Sequence, residues 1–199
     1  MSDLTARPVL TDLFGPTEGA GLAVKRLILV LAGIAALAIS AKIAIPMWPV
    51  PVTMGTFAVL TIGAAYGPRL GLATIFGYML VGAAGFDVFA GSSAEKYGLA
   101  YMMGGTGGYL VGYMLAGAAL GYFARLGWDR SMGKMAAAML IGNAIIYVPG
   151  LLWLGQLYGW DQPILAWGLT PFLLGDALKL ALAALLLPAV WKFVGDARA

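Results

Sequence analysis

The sequence contains neither cysteine nor histidine. These two absences exclude disulfide bonds, thiolate nucleophiles, histidine-ligated metals and any serine–histidine pair for acyl transfer. Charge is also scarce, because only 11% of the residues are charged, with 12 basic and 9 acidic side chains. No glycine-rich loop ends in Lys-Ser or Lys-Thr, so the chain has no P-loop with which to bind ATP. With no matched acid and base in view, we do not expect an enzyme.

Apolar residues and glycine make up most of the chain. Hydrophobic residues account for 61% of it, the mean hydropathy is +0.89, and 29 residues are glycine. This composition is typical of a helical membrane protein, and the glycines suit close helix packing in lipid. Residues 1–21 lack a compact apolar stretch, so we expect no cleavable signal peptide.

Six apolar stretches, separated by Pro, Gly and charged residues, predict an all-α integral membrane protein with six transmembrane helices. We expect a polar tail over residues 1–24 and a single membrane domain over residues 25–199. The spans are predicted at residues 27–45, 54–66, 70–85, 109–123, 135–157 and 172–193.

The distribution of basic residues predicts the orientation. With six spans, both termini lie on one side of the membrane, and that side collects nine of the basic residues, namely Arg7, Lys25, Arg26, Arg69, Arg125, Arg130, Lys134, Lys192 and Arg198. The opposite side carries only Lys42 and Lys96, with Lys179 inside the membrane. By the positive-inside rule, both termini are cytoplasmic.

Two charged residues interrupt the last apolar stretch. Asp176 and Lys179 are three positions apart, so on a helix they share one face, about one to two turns inside the span. Ionisable residues at membrane depth are costly and usually face a cavity or a partner. The pair therefore indicates a buried polar site, with a structural ion pair or a lysine that reaches the headgroups as the alternatives.

Two other stretches meet the Asp176/Lys179 end of the last span at the outer face. The proline-rich connector 45–53 contains Trp48 and either anchors at the headgroups or covers a pocket. The loop 86–107 mixes aromatic residues with glycine, as a loop folded over a binding site does. Asn143 in the fifth span either joins helices or faces a ligand. Together these stretches predict an outward-facing pocket with aromatic, amide, cationic and anionic groups.

The first span carries Ala32, Ala36 and Ser40 at four-residue spacing. Small residues at this spacing make a smooth strip on which another helix can pack closely. The alternative is that alanine is simply common in such helices.

Five stretches, taken in order, resemble a known family. They are Pro49-Val50-Pro51-Val52-Thr53, Asp87-Val88-Phe89-Ala90-Gly91, Gly104-Gly105-Thr106-Gly107-Gly108-Tyr109, Gly142-Asn143-Ala144-Ile145-Ile146-Tyr147 and Gly175-Asp176-Ala177-Leu178-Lys179. With six short spans and an outward-facing pocket, the chain is similar to the S components of energy-coupling factor (ECF) transporters, and in particular to the biotin-binding BioY family.

The resemblance implies a fold, a ligand and partners. The fold would be the six-helix S-component bundle, and the chain would bind biotin with high affinity and carry it as a transported ligand, with no cofactor. The partners would be a transmembrane coupling protein of the EcfT or BioN type and ABC-type ATPases of the BioM type, although some family members are thought to work without them. The location would be the bacterial cytoplasmic (inner) membrane, and no nucleic acid is involved.

The resemblance also implies roles for residues. Asp176 would accept a hydrogen bond from the ureido ring of biotin, and Lys179 or Lys96 would pair with its carboxylate or donate to the ureido oxygen. Asn143 would serve either polar end, and the strip of Ala32, Ala36 and Ser40 would dock the coupling protein. The remaining substrate-binding candidates are Trp48, Thr53, Phe89, Tyr97, Tyr101 and Tyr147.

Other functions remain open at this point. The chain could be an S component for another vitamin, such as thiamin or riboflavin, because only the pocket would distinguish them. Gly175-Asp176 resembles part of the motif of intramembrane aspartyl proteases, but a second intramembrane acid is missing. A channel would need a polar stripe through the whole bilayer, and the inner halves of these spans are apolar.

Overall fold

The computed structural model describes residues 7–91 and 97–196. Its helices are α1 (Gly19–Lys42), α2 (Gly55–Ala83), α3 (Gly98–Met102), α4 (Gly107–Arg125), α5 (Met132–Tyr158), α6 (Ile164–Gly168) and α7 (Leu173–Asp196). Short 3-10 turns lie at Leu10–Leu13, Trp128–Arg130 and Thr170–Phe172. Two short antiparallel strands, β1 (Ala44–Ile45) and β2 (Val52–Thr53), form a hairpin between α1 and α2.

Helix α2 is a hairpin of two helical halves. Gly67 has φ 78° and ψ 174°, a conformation that glycine adopts without the strain that a side chain would cause. A Cβ placed on Gly71 would lie 3.1 Å from the Cα of Gly63. In one straight helix these two residues would be about 12 Å apart, so the chain reverses at Gly67. Pro68 follows in the first turn of the second half, where it is tolerated.

Over the described residues, the chain therefore runs from one end of the bundle to the other six times. Within the described residues, five helical runs are long and apolar enough to cross a membrane, and the run Gly55–Ala83 supplies two crossings. This agrees with the six predicted spans, because the second and third, 54–66 and 70–85, are separated by Gly67-Pro68-Arg69.

The helix bounds differ from the sequence-based spans at the first helix. Helix α1 begins at Gly19 rather than near residue 27, and it ends at Lys42 because the chain then enters the β1–β2 hairpin. The tail predicted for residues 1–24 is correspondingly shorter. Val9 within it is fully buried, and Arg7 donates its backbone N–H to the carbonyl of Arg125 at 3.0 Å.

Glycine lets the central helices pack almost backbone to backbone. A Cβ placed on Gly112 of α4 would lie 2.7 Å from the Cα and 2.8 Å from the carbonyl oxygen of Ile146 on α5. Gly121, on the same helix, lies against the backbone of Pro68. Because the neighbouring atoms belong to the backbone, they cannot move aside as a side chain can.

Replacing Gly112 with alanine is expected to destabilise the bundle by about 1–3 kcal/mol, the usual cost of overpacking a tight core. Thermal unfolding of the detergent-solubilised protein measures this loss. Gly133→Ala is the matched control, because a Cβ there meets nothing within 4 Å and alanine favours helix. Equal unfolding temperatures for the two variants would contradict the packing argument.

The two ends of the bundle differ in chemistry. We call the end that carries Arg7, the turn at Gly67 and the α4–α5 connection the basic end. There the Trp191 indole donates to Asp129 Oδ2 at 2.5 Å, and the guanidinium of Arg130 lies 4.0 Å from the centre of the Trp191 ring. Burial raises the pKa of the Asp129 carboxyl, while the hydrogen bond from Trp191 opposes this rise. The β1–β2 hairpin, α3 and α6 cap the opposite end, which we call the site end.

Candidate functional site

A cavity opens at the site end between the hairpin and the surrounding helices. Its walls come from the β1–β2 hairpin and from α1, α2, α3, α4, α5 and α7, with further residues from the connections on either side of α3. It encloses about 590 Å³ of empty space, counting its open mouth.

A buried ion pair forms the polar corner of the cavity. Lys179 Nζ donates to Asp176 Oδ1 at 3.0 Å and to Thr56 Oγ1 at 3.0 Å. Tyr147 donates its hydroxyl hydrogen to Asp176 Oδ2. Asp176 and Lys179 are only 5% and 6% exposed. Each charge therefore depends on its partners to offset the cost of desolvation.

The two residues of the ion pair differ in their position relative to the cavity. Lys179, Thr56 and Tyr147 line the cavity, whereas Asp176 is not among the described residues that line it. An ammonium group carries three N–H donors, and the two bonds found in the described part of the chain leave one for a ligand. The ion pair that the sequence analysis left as an alternative is present, and of its two members Lys179, not Asp176, lines the cavity.

A stack of aromatic rings forms the apolar wall. Phe89 and Tyr101 are nearly parallel, with ring centres 4.9 Å apart and an angle of 10°. Tyr78 meets Phe89 edge-on at 5.3 Å. Phe89 is 1% exposed and lies against Gly82, where a side chain on the glycine would occupy the position of the ring. The predicted residues Phe89, Tyr101 and Thr53 thus all lie in the wall.

The sequence analysis did not identify several wall residues. Tyr109 and Tyr113 lie four positions apart on α4 and line the cavity together with Thr56. The Tyr109 hydroxyl donates to the carbonyl of Gly168 at 2.7 Å, which ties α4 to the α6 segment. Tyrosine near a helix end is common in membrane proteins and is therefore a weak signal. Only the four-residue spacing of the two tyrosines, directly after the glycine cluster, could have indicated that this face of α4 lines a site.

Besides Asp176, which was predicted to contact the ligand, three predicted site residues in the described part of the chain are not in the wall. Trp48 is 67% exposed at the tip of the hairpin, where it packs edge-on against Tyr158 and Trp167. In this position Trp48 covers the ends of α5 and α6 and is not among the described residues that line the cavity, contrary to its predicted place in the site. The other two are Tyr97, which is 55% exposed beside Gly85, and Asn143, which is half-buried one turn from Tyr147 toward the basic end. The prediction for Lys96 falls outside the described residues.

The strip on α1 faces away from the bundle. Ala32 and Ala36 are exposed and Ser40 is half-buried. The packed face of the helix is instead Gly33, Leu37 and Ala41, with Gly33 against Thr74 and Tyr66 of α2. The strip is therefore not part of the packed seam within this chain.

The chain is similar in sequence to a known family and to several of its members. A sequence model of the BioY family matches residues 11–196. A probable biotin transporter BioY from Pyrococcus horikoshii is 34% identical over 163 residues, which cover 81% of this chain and 93% of the relative. The biotin transporter BioY of Thermotoga maritima is 34% identical over 160 residues, covering 79% and 92%.

A solved structure has the same fold. It is the crystal structure of the S-component for biotin from an ECF-type ABC transporter, which matches with a TM-score of 0.73 at 22% identity and covers 88% of this chain and 95% of the other. The match confirms the predicted S-component-like bundle, and the long apolar helices agree with a multi-pass membrane protein. Since the family model spans nearly the whole chain, the protein belongs to the BioY family.

Proposed function

We propose that the chain is the biotin-binding S component of a vitamin uptake transporter. The observation that carries the proposal is the cavity in which Lys179, held by Asp176, faces a wall of stacked aromatic rings. The family membership and the names of the relatives support the choice of ligand.

The chemistry of biotin suits such a cavity. Its fused ring system has an apolar thiophane and a ureido group with two N–H donors and one carbonyl, and its tail ends in a carboxylate. The stacked rings of Phe89 and Tyr101 offer an apolar face for the thiophane. Lys179 supplies a charged donor, which is stronger than a neutral one, to either the ureido oxygen or the carboxylate.

Asp176 has a positioning role in this proposal. It accepts hydrogen bonds from both Lys179 and Tyr147, and so fixes the direction of two wall side chains. Its negative charge also pairs with the lysine at membrane depth, where an unpaired ammonium is costly.

Transport requires further proteins in this proposal. Since the chain has no P-loop, ATP is hydrolysed by partner ATPases that act through a transmembrane coupling protein. The exposed small residues Ala32 and Ala36 on α1 offer a surface for the coupling protein. The basic end faces the cytoplasm by the positive-inside rule, so the cavity opens on the outer side of the cytoplasmic membrane.

The direct test is equilibrium binding of labelled biotin to the purified, detergent-solubilised chain. Unlabelled thiamin and riboflavin serve as competitors, because S components for other vitamins would share the fold. Saturable binding that only unlabelled biotin displaces is expected. Displacement by thiamin or riboflavin, or no binding by protein that unfolds cooperatively, would overturn the choice of ligand.

The protease alternative has little support. Asp176 is occupied by Lys179 and Tyr147, and the described residues that line the cavity include no acid. An aspartyl protease needs two carboxyl groups close together. The relatives are named as transporters, in agreement with the prediction that the chain is not an enzyme.

A further inference from the structure

A second concave site lies at the basic end, remote from the cavity. It is a groove between the N-terminal segment, α1, α2 and α4, with about 1940 Å³ of space counting its open mouth. Five basic side chains line it, namely Arg7, Lys25, Arg26, Arg69 and Arg125. Among its described lining residues the one acid is Asp12, which pairs with Arg125 at 2.6 Å. The groove therefore carries a clear excess of positive charge.

The groove changes from charged to apolar with depth. On α1, Leu29 lies one turn deeper than Lys25, and on α2, Ala73 lies one turn deeper than Arg69. Tyr122 stands in the same relation to Arg125 on α4, and all of these residues line the groove. Tyr66 adds an aromatic ring whose hydroxyl donates to the carbonyl of Leu29 at 3.0 Å. Three helices thus repeat the same order, a cationic rim above an apolar floor.

The arrangement is more specific than the positive-inside rule requires. That rule predicts basic residues at this end but not their convergence on one groove. Lys134 and Lys192 are exposed at the same end and are not among the lining residues described. A ligand with an anionic head and apolar chains matches both levels of the groove.

We propose that this groove binds one anionic phospholipid. The phosphodiester lies among Lys25, Arg26 and Arg69, where charge-assisted hydrogen bonds hold its oxygens. One acyl chain runs over Leu29 and Tyr122 toward the middle of the bundle. Basic pockets between helices at the membrane surface bind anionic lipid headgroups in this way. Because the groove and the cavity lie at opposite ends, this inference is independent of the identity of the vitamin.

Native mass spectrometry of the full chain tests the proposal. The protein in detergent is mixed with equal amounts of dioleoyl phosphatidylglycerol or dioleoyl phosphatidylcholine and is then released from the detergent. The two lipids share acyl chains and differ in headgroup charge. One phosphatidylglycerol is expected to remain bound per chain, with about tenfold or greater preference over phosphatidylcholine. Equal retention of the two lipids would overturn the proposal.

Variants locate the site. The double variant R26Q/R69Q is expected to lose the preference for phosphatidylglycerol, whereas R26K/R69K retains it. K134Q/K192Q is the matched control, because it removes the same charge from the same end outside the groove, and it is expected to behave like the unmodified chain. Equal loss in both glutamine variants would indicate diffuse attraction and would overturn the site. Thermal unfolding without added lipid checks that each variant is folded.

Competition identifies the source of the phosphate. Inorganic phosphate or glycerol phosphate at millimolar concentration is expected not to displace phosphatidylglycerol, because neither fills the apolar floor. Displacement would instead assign the groove to a soluble anion. If neither lipid remained bound and a protein partner bound the groove instead, the surface would belong to that partner, and the proposal would likewise be overturned.

Discussion

Replacing Lys179 with methionine is expected to weaken biotin binding by about 30-fold or more, in line with the 2–5 kcal/mol lost when one member of a buried, hydrogen-bonded charge pair is truncated. The variant loses the charged donor of the cavity. It also leaves the Asp176 carboxylate without the ammonium that offsets its burial, with only Tyr147 to donate to it. Titration of labelled biotin against the purified variant measures the loss.

A charge-balanced variant separates ligand contact from folding. Asp176→Asn combined with Lys179→Met removes both charges, so no uncompensated charge is left buried, and thermal stability is expected to return toward that of the unmodified chain. Biotin binding is expected to stay weak, because the donor is still missing. If the double variant bound biotin with normal affinity, the lysine would be a structural partner of the aspartate and would not contact the ligand.

Replacing Ala36 with tryptophan is expected to abolish biotin uptake by cells that also produce the coupling protein and ATPases, while binding to the purified chain is unchanged. Ala36 is exposed on the strip that α1 turns away from the bundle, so a large ring there does not disturb the packed face. It would, however, hold a second helix away from the close approach that small residues permit.

The matched control is Ala35→Trp, which makes the same change at an exposed alanine about 100° around the helix. This control is expected to keep most of the uptake. Loss of uptake in both variants would show that the strip has no special role. Loss of biotin binding in Ala36→Trp would show that the substitution disturbs the cavity.

The features readable from the sequence were those with a strong local signal. Asp176 and Lys179 stood out because charge is rare in an apolar run, and their spacing placed them on one helical face. The turn at Gly67 was marked by Gly-Pro-Arg between two apolar stretches. Both features depend on the residues themselves and their immediate neighbours along the chain.

The features that sequence reasoning missed depend on packing between distant segments. Trp48 and Tyr101 are both aromatic residues in apolar, glycine- or proline-rich connections, yet one lies at the hairpin tip and the other in the wall. Composition does not distinguish the two, because the path of each loop over the bundle decides the outcome. Thr56 and Tyr113 gave no local signal, and they gained importance only when α2 and α4 placed them beside Lys179 and Thr53.

The depth of the cavity limits how far its occupant must still travel. Tyr113 lines the cavity wall and precedes Arg125, at the basic end of the same helix, by 12 positions. At 1.5 Å per residue this separation is about 18 Å, compared with a hydrocarbon layer of about 30 Å. In the proposed orientation, a molecule bound at the level of Tyr113 would therefore have about two-fifths of this layer behind it before any protein rearrangement begins.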